Sequence, residues 1–282
     1  MDTLKISASG LAYETTDLVA PWSQGQPPIV FHHGIGTDHN VWSDWLPHVV
    51  TRHRCLRFDT RGFGRSAVPP DDHAFTLESC LEDILEMMEL AGPGPVHLVG
   101  ESFGGTMVLL AALRHPEKVA TVTISNTAYK GSGIQYVAGW REAFTRQGVP
   151  AWSADMMTKR FHDDALEHGK RAWFQSTQDA SPAHVTAGLG ELLARTDLTA
   201  ELGRLKPPLL ILMPDRSPFV TARMAVELSE LVPAADLAMF PGARHGLPFS
   251  HGSDCGTRLR QHLDTWAMAG CAGGVRSTDP AS

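Results

Sequence analysis

Six residues, Gly100-Glu101-Ser102-Phe103-Gly104-Gly105, constrain this chain more than any other stretch. They follow an apolar run at 96–99, broken only by His97, and precede a helical run at 106–114. A buried strand that turns directly into a helix belongs to a mostly parallel sheet covered by helices on both faces. The rest of the chain repeats that alternation. Segments 5–8 and 11–15 read as an opening hairpin around a Ser-Gly turn, and 28–32, 55–58, 119–125, 209–213 and 236–240 read as strands. Between them, Leu77, Cys80, Leu81, Ile84, Leu85 and Met88 recur at helical spacing, with Thr76 as N-cap and Gly92-Pro93-Gly94-Pro95 as the stop. Helices are also expected over about 221–231 and 255–269.

Residues 126–205 break the pattern. They carry Trp140, Trp152 and Trp173 and many helix formers, with no clear strand, and are too long for a plain crossover. The organisation expected is therefore an α/β core over 1–125 and 206–269, a helical cap inserted at 126–205, and a disordered tail at 270–282. A length of 282 residues with 43% apolar and 20% charged side chains supports one such domain with a packed core.

The strand-to-helix turn also points to chemistry. A serine hydroxyl is a weak nucleophile unless it is thrust out where a base can reach it, and a strained turn flanked by residues without side chains does this. Gly100 and Gly104 supply that room around Ser102, and Gly105 lets the helix pack closely. A phosphate-binding loop is excluded, because no Gly-Lys-Ser/Thr follows and no G-x-G-x-x-G spacing is present. Attack on a carbonyl creates an oxyanion that needs two aimed donors. The expected pair is the backbone N–H of Phe103 and that of Ile35, in the loop His33-Gly34-Ile35-Gly36 after the 28–32 strand. His32 and His33 are read as braces of that loop.

Among fourteen histidines, His245 stands out by place: it lies in a Gly-flanked loop after the last strand, where an open sheet carries function. His251 is its nearest competitor and is read as a surface residue. Asp215, just past the 209–213 strand, is the expected acid, and it completes the chain order Ser…Asp…His. A turn aspartate in Pro214-Asp215-Arg216-Ser217-Pro218 is the competing reading. The position after the 119–125 strand holds Ser125-Asn126-Thr127 and offers no carboxylate; Asp59 and Asp197 are read as loop or cap residues.

With these residues placed, the chain to about residue 269 resembles the α/β-hydrolase superfamily. More narrowly it resembles the 3-oxoadipate enol-lactonase group, through Gly36-Thr37-Asp38-His39-Asn40-Val41-Trp42, Arg57-Phe58-Asp59-Thr60-Arg61-Gly62-Phe63-Gly64-Arg65-Ser66, the 100–105 turn and Ser125-Asn126-Thr127-Ala128-Tyr129-Lys130-Gly131. The resemblance implies the α/β-hydrolase fold and hydrolysis of a small ester or lactone through an acyl-enzyme, with no cofactor and no metal. Such proteins usually carry the acid in a G-x-x-D turn, often followed by Pro. Matching that Pro to Pro218 puts Ser217 at the acid position and Asp215 two residues early. In the cap, Trp140 and Arg141 are candidates to face the substrate, the arginine as a carboxylate ligand, against a plain surface reading. Two rival functions share the fold: hydrolysis of a C–C bond in a ring-cleavage product, and a non-catalytic ligand receptor with a vestigial triad. A dehalogenase is disfavoured, since it needs a carboxylate in place of Ser102.

A net charge of −7 gives no attraction for nucleic acid. No stretch is apolar for long enough to span a bilayer and no secretory leader is visible, so the expectation is a soluble, cytoplasmic protein without a membrane partner, compatible with a homodimer. Cys55, Cys80, Cys255 and Cys271 lack metal-type spacing and are expected to be reduced.

Overall fold

The computed structural model describes residues 4–273. Eight strands form one sheet: β1 (Lys5–Ile6), β2 (Ala12–Thr16), β3 (Ile29–His32), β4 (Cys55–Phe58), β5 (Val96–Glu101), β6 (Val119–Ser125), β7 (Leu209–Pro214) and β8 (Ala235–Phe240). Their order is β1-β2-β4-β3-β5-β6-β7-β8; β2 runs antiparallel to β1 and β4, and every pairing from β4 to β8 is parallel. The chain lays β4 on one side of β3, then crosses through α1 (Leu77–Ala91) to lay β5 on the other. The strand order therefore reverses at β3 and β5, and the crevice beyond their carboxyl ends is where such a sheet receives a ligand.

Strands β3 to β7 are buried along their whole length, as expected of strands covered on both faces. Alternate residues feed opposite layers. Val30, Leu56 and Leu98 pack with α1 and α2 (Phe103–Arg114), while Ile29, Phe31 and Val99 pack with Trp42, Trp45 and Leu259. Leu259 lies on α8 (Gly252–Gly273). Thr76 caps α1 as expected, its hydroxyl accepting the Ser79 N–H at 3.0 Å. Cys80 and Cys255 are buried free thiols, and Cys55 is buried as well.

The insertion carries α3 (Trp140–Arg160), α4 (His168–Asp179) and α5 (Ala183–Arg195), and α3 is broken at Gly148, whose φ of 77° precedes Pro150. Its two ends are tied together: the Gly131 N–H donates to the Thr196 carbonyl at 2.7 Å, and the Leu198 N–H to Tyr129 at 2.9 Å. The core is completed by α6 (Ala222–Leu231) and the short α7 (Leu247–Ser250). Helix α8 runs on through 270–273, into the segment expected as a tail. Residues 274–282 of that tail lie outside the described residues. No helix among the described residues is long and apolar enough to cross a membrane.

Candidate functional site

Ser102 sits between β5 and α2 at φ 52°, ψ −118°. A side-chain-bearing residue rarely adopts this conformation, and it costs of the order of 1–3 kcal/mol unless neighbours hold it. Here the Ser102 N–H donates to the Ser125 carbonyl at 2.9 Å, and its carbonyl receives the Thr106 N–H at 3.1 Å, opening α2. The turn is tight enough that a Cβ on Gly100 would lie 2.6 Å from the Gly104 carbonyl carbon, and one on Gly104 would lie 2.8 Å from that of His32. Both glycines are thus required by close approach.

His245 reaches the same point from the loop after β8. Its Nε2 lies 3.4 Å from Ser102 Oγ, although the two are 143 residues apart. Its carbonyl accepts a hydrogen bond from Asn126 Nδ2, and the Phe219 ring packs 4.7 Å from the imidazole. Burial, and then the positive charge of Arg160, push the imidazole pKa down to about 3.

The group on His245 Nδ1 is Ser217, whose Oγ lies 3.1 Å away and also accepts the Phe219 and Val220 N–H groups, each at 3.3 Å. Asp215, the expected acid, is elsewhere. Its Oδ1 accepts the Gly242 N–H at 2.7 Å, and its side chain is exposed beside Arg216. The cause is strand length. β7 runs through Pro214, and the Asp215 N–H still bonds to Phe240 of the neighbouring strand, so the chain has not yet turned back toward the site. That turn is complete two residues later, at Ser217.

The loop after β3 is held from three sides. The Thr60 N–H donates to His33 Nε2 at 2.8 Å, which forces the imidazole proton onto Nδ1. Nδ1–H then donates to the Gly34 carbonyl at 2.7 Å, which Thr37 Oγ1 also approaches at 3.2 Å. In a trans peptide the carbonyl and the following N–H point opposite ways, so anchoring the Gly34 carbonyl aims the Ile35 N–H away from the brace. The Gly34 N–H donates to Glu101 Oε1 at 2.8 Å, and the Ile35 carbonyl accepts from Arg160 Nη2 at 2.9 Å. Ile35 lines a small pocket together with Ser102 and His245. Neither the Ile35 nor the Phe103 N–H has a backbone partner among the described residues.

A family model described as alpha/beta hydrolase fold matches residues 27–252. The chain belongs to the α/β-hydrolase family. This hydrolase is 28% identical over 204 residues to 3-oxoadipate enol-lactonase 1 of Acinetobacter baylyi, covering 70% of this chain and 74% of that one. It is 28% identical over 246 residues to a pimeloyl-[acyl-carrier protein] methyl ester esterase of Aeromonas hydrophila, covering 83% and 93%. Among solved structures it superposes on the enol-lactonase of Burkholderia xenovorans with a TM-score of 0.82, at 22% identity over 93% of this chain and 100% of that one.

The remaining candidates of the hydrolase fall outside the pocket or at its wall. Trp140 lines it, whereas Arg141 is exposed and pairs with Glu191 at 3.0 Å. His32 bonds to Thr60 Oγ1 at 3.0 Å beneath the loop, and His251 bonds to Ser250 at 2.9 Å. Asp197 accepts the Thr199 N–H at 2.9 Å. Asp59 accepts the Arg65 N–H and both His39 N–H groups, at 2.7–2.8 Å. Burial opposes its charge, but His39 outweighs that and holds the carboxyl below its usual range. Asp38, His39 and Asp59 bring ligand-type atoms within 4.8 Å of one another, yet Asp59 and Asp38 are already engaged by N–H donors, so the cluster acts as a brace. Sequence reasoning missed Arg160 and the role of Glu101. An arginine in a helical segment carries no signal of burial, and Glu101 was legible only as a neighbour of Ser102.

Proposed function

We propose that this hydrolase cleaves a small carboxylic ester or lactone through an acyl-enzyme, with Ser102 as nucleophile and His245 as base. The observation that carries the reading is the strained Ser102 turn with His245 Nε2 3.4 Å from its hydroxyl, at the wall of an otherwise mostly apolar pocket. His245 takes the Ser102 proton as Oγ bonds to the carbonyl carbon. The Ile35 and Phe103 N–H groups receive the oxyanion. The C–O bond then breaks, the leaving oxygen takes the proton from His245, and water repeats the sequence to release the acid. Ser217, rather than Asp215, orients the imidazole. The names of the relatives, an enol-lactonase and a methyl ester esterase, support C–O cleavage over the C–C alternative.

The test is a Ser102→Ala variant assayed with short 4-nitrophenyl esters, alongside labelling of the intact protein by a fluorophosphonate. Turnover is expected to fall by about three orders of magnitude or more, and labelling to vanish. Full esterase activity in the variant would refute the assignment. An inactive wild type that no fluorophosphonate labels would favour the receptor reading.

A further inference from the structure

The loop that carries the Ile35 N–H is locally easy to misfold. Ile35 lies between Gly34 and Gly36, and Gly36 stands at φ 82°. Beside a residue without a Cβ, the plane of the Gly34–Ile35 peptide can turn over through ψ of Gly34 and φ of Ile35 at little steric cost. Such a flip would put the Gly34 carbonyl where the Ile35 N–H is needed. An oxyanion would then meet an acceptor instead of a donor.

One hydrogen bond on each of three successive peptide planes opposes the flip. In the middle plane, the His33 ring holds the Gly34 carbonyl at 2.7 Å. The plane before is held by Glu101, whose Oε1 accepts the Gly34 N–H at 2.8 Å. The plane after is held by Arg160, whose Nη2 donates to the Ile35 carbonyl at 2.9 Å. Of these three, Glu101 alone belongs to the nucleophile's own strand. It ends β5, pairs with Ser125 in the sheet and immediately precedes Ser102, and Phe103, the second donor, follows. Its side chain also fills the space over Gly34, where a Cβ would lie 2.5 Å from Oε1. Glu101 is buried, and burial raises its carboxyl pKa against the opposing pull of Arg160 and the Gly34 N–H. The loop therefore draws on an acceptor oxygen more than on a charge.

We propose that Glu101 is a positioning residue of the oxyanion hole: by fixing the Gly34 N–H it keeps the Ile35 N–H turned toward the reacting carbonyl, and it joins the nucleophile and both donors into one rigid unit. The inference rests on the serine-hydrolase reading and deepens it. Glu101 acts through the Gly34–Ile35 backbone, and no bond to substrate is made or broken at its carboxyl, so the steps already given are unchanged. The Ile35 N–H is needed most when charge develops on the carbonyl oxygen. Losing its alignment should therefore fall on kcat and spare KM.

The experiment compares the wild type with Glu101→Leu, which removes the acceptor, and Glu101→Gln, which keeps an acceptor oxygen at the same reach. With 4-nitrophenyl butyrate, Glu101→Leu should lower kcat by at least about tenfold, toward the roughly hundredfold to thousandfold cost of deleting an oxyanion donor, while KM changes by less than about threefold. Glu101→Gln should recover most of that loss. Amide hydrogen exchange read by NMR adds a measure that needs neither turnover nor a variant: the Gly34 amide should be protected in the wild type and in Glu101→Gln, and released in Glu101→Leu. A Gly34 amide that exchanges freely in the wild type would overturn the proposal, and so would a leucine variant with kcat within about threefold of the wild type or a loss carried by KM alone. A glutamine variant as impaired as the leucine one would also overturn it, assigning Glu101 to its charge beside Arg160. Should Glu101→Leu fail to fold, the wild-type exchange and the glutamine variant still decide. If the wild type turns over no ester and no fluorophosphonate labels Ser102, the hydrolase reading has failed. Whether Glu101 fixes the loop then rests on the Gly34 amide: protection in the wild type and Glu101→Gln supports it, and free exchange in either overturns it.

Discussion

Replacing Ser217 by aspartate should accelerate this hydrolase. The Ser217 oxygen already accepts two backbone N–H groups and lies 3.1 Å from His245 Nδ1, so an acceptor is built in at that point. A hydroxyl can also donate, and donation to Nδ1 would move the imidazole proton to Nε2, the tautomer that cannot take a proton from Ser102. A carboxylate is acceptor-only and forces the productive tautomer. It also faces the imidazolium formed in the reaction. A charge pair about 4 Å apart is worth about 4 kcal/mol at an effective dielectric constant near 20. Withdrawing a carboxylate from water into this half-buried turn offsets about half of that, leaving about 1.5–3 kcal/mol. Ser217→Asp should therefore raise kcat about tenfold to a hundredfold. The pH midpoint of the acidic limb should rise as well, because the imidazolium is stabilised. Steady-state kinetics on a 4-nitrophenyl ester between pH 4 and 8 measures both. An unchanged or lower kcat in a variant with native circular dichroism and melting temperature would refute the reasoning.

The complementary substitution tests the residue first expected to be the acid. Asp215→Asn should lower kcat by less than about tenfold, whereas disabling a triad aspartate costs about ten-thousandfold; steady-state assay decides, and a loss of the larger size would reinstate Asp215. Acid should destabilise the fold through its buried neutral histidines. Burial pushes His97 down to about 3 and His32 well below its ordinary value, with His53 lowered too. Their unfolded forms gain protons below about pH 6.5 while the folded forms do not, so each lowers stability by about 1.4 kcal/mol per pH unit between there and its folded pKa. His39 opposes this: burial lowers its pKa, but Asp59 outweighs burial and raises it, so its contribution is present in acid and lost as pH climbs. Urea midpoints should thus fall between pH 7 and pH 5, and equal midpoints would contradict the assignment.

Much of the molecule could be read from local pattern. Cys55–Phe58 and Val119–Ser125 appear at their expected bounds, since a short apolar run closed by turn residues has few ways to be buried. The Ser102 turn was legible because the backbone there tolerates almost nothing but glycine on either side, and that demand is written into adjacent residues. The His245 loop was found by its place after the last strand. What the pattern could not supply is which side chains meet across the crevice. Asp215 and Ser217 differ by two positions in one turn, and the choice between them was made by how far β7 runs before the chain bends. Arg160 reads as one more helical arginine until the cap folds over the sheet and carries it against the Ile35 loop. Periodicity and glycine placement report each segment's own backbone and solvent face, so they determine the fold; the charges around a reacting atom are set by long-range packing that no segment encodes alone.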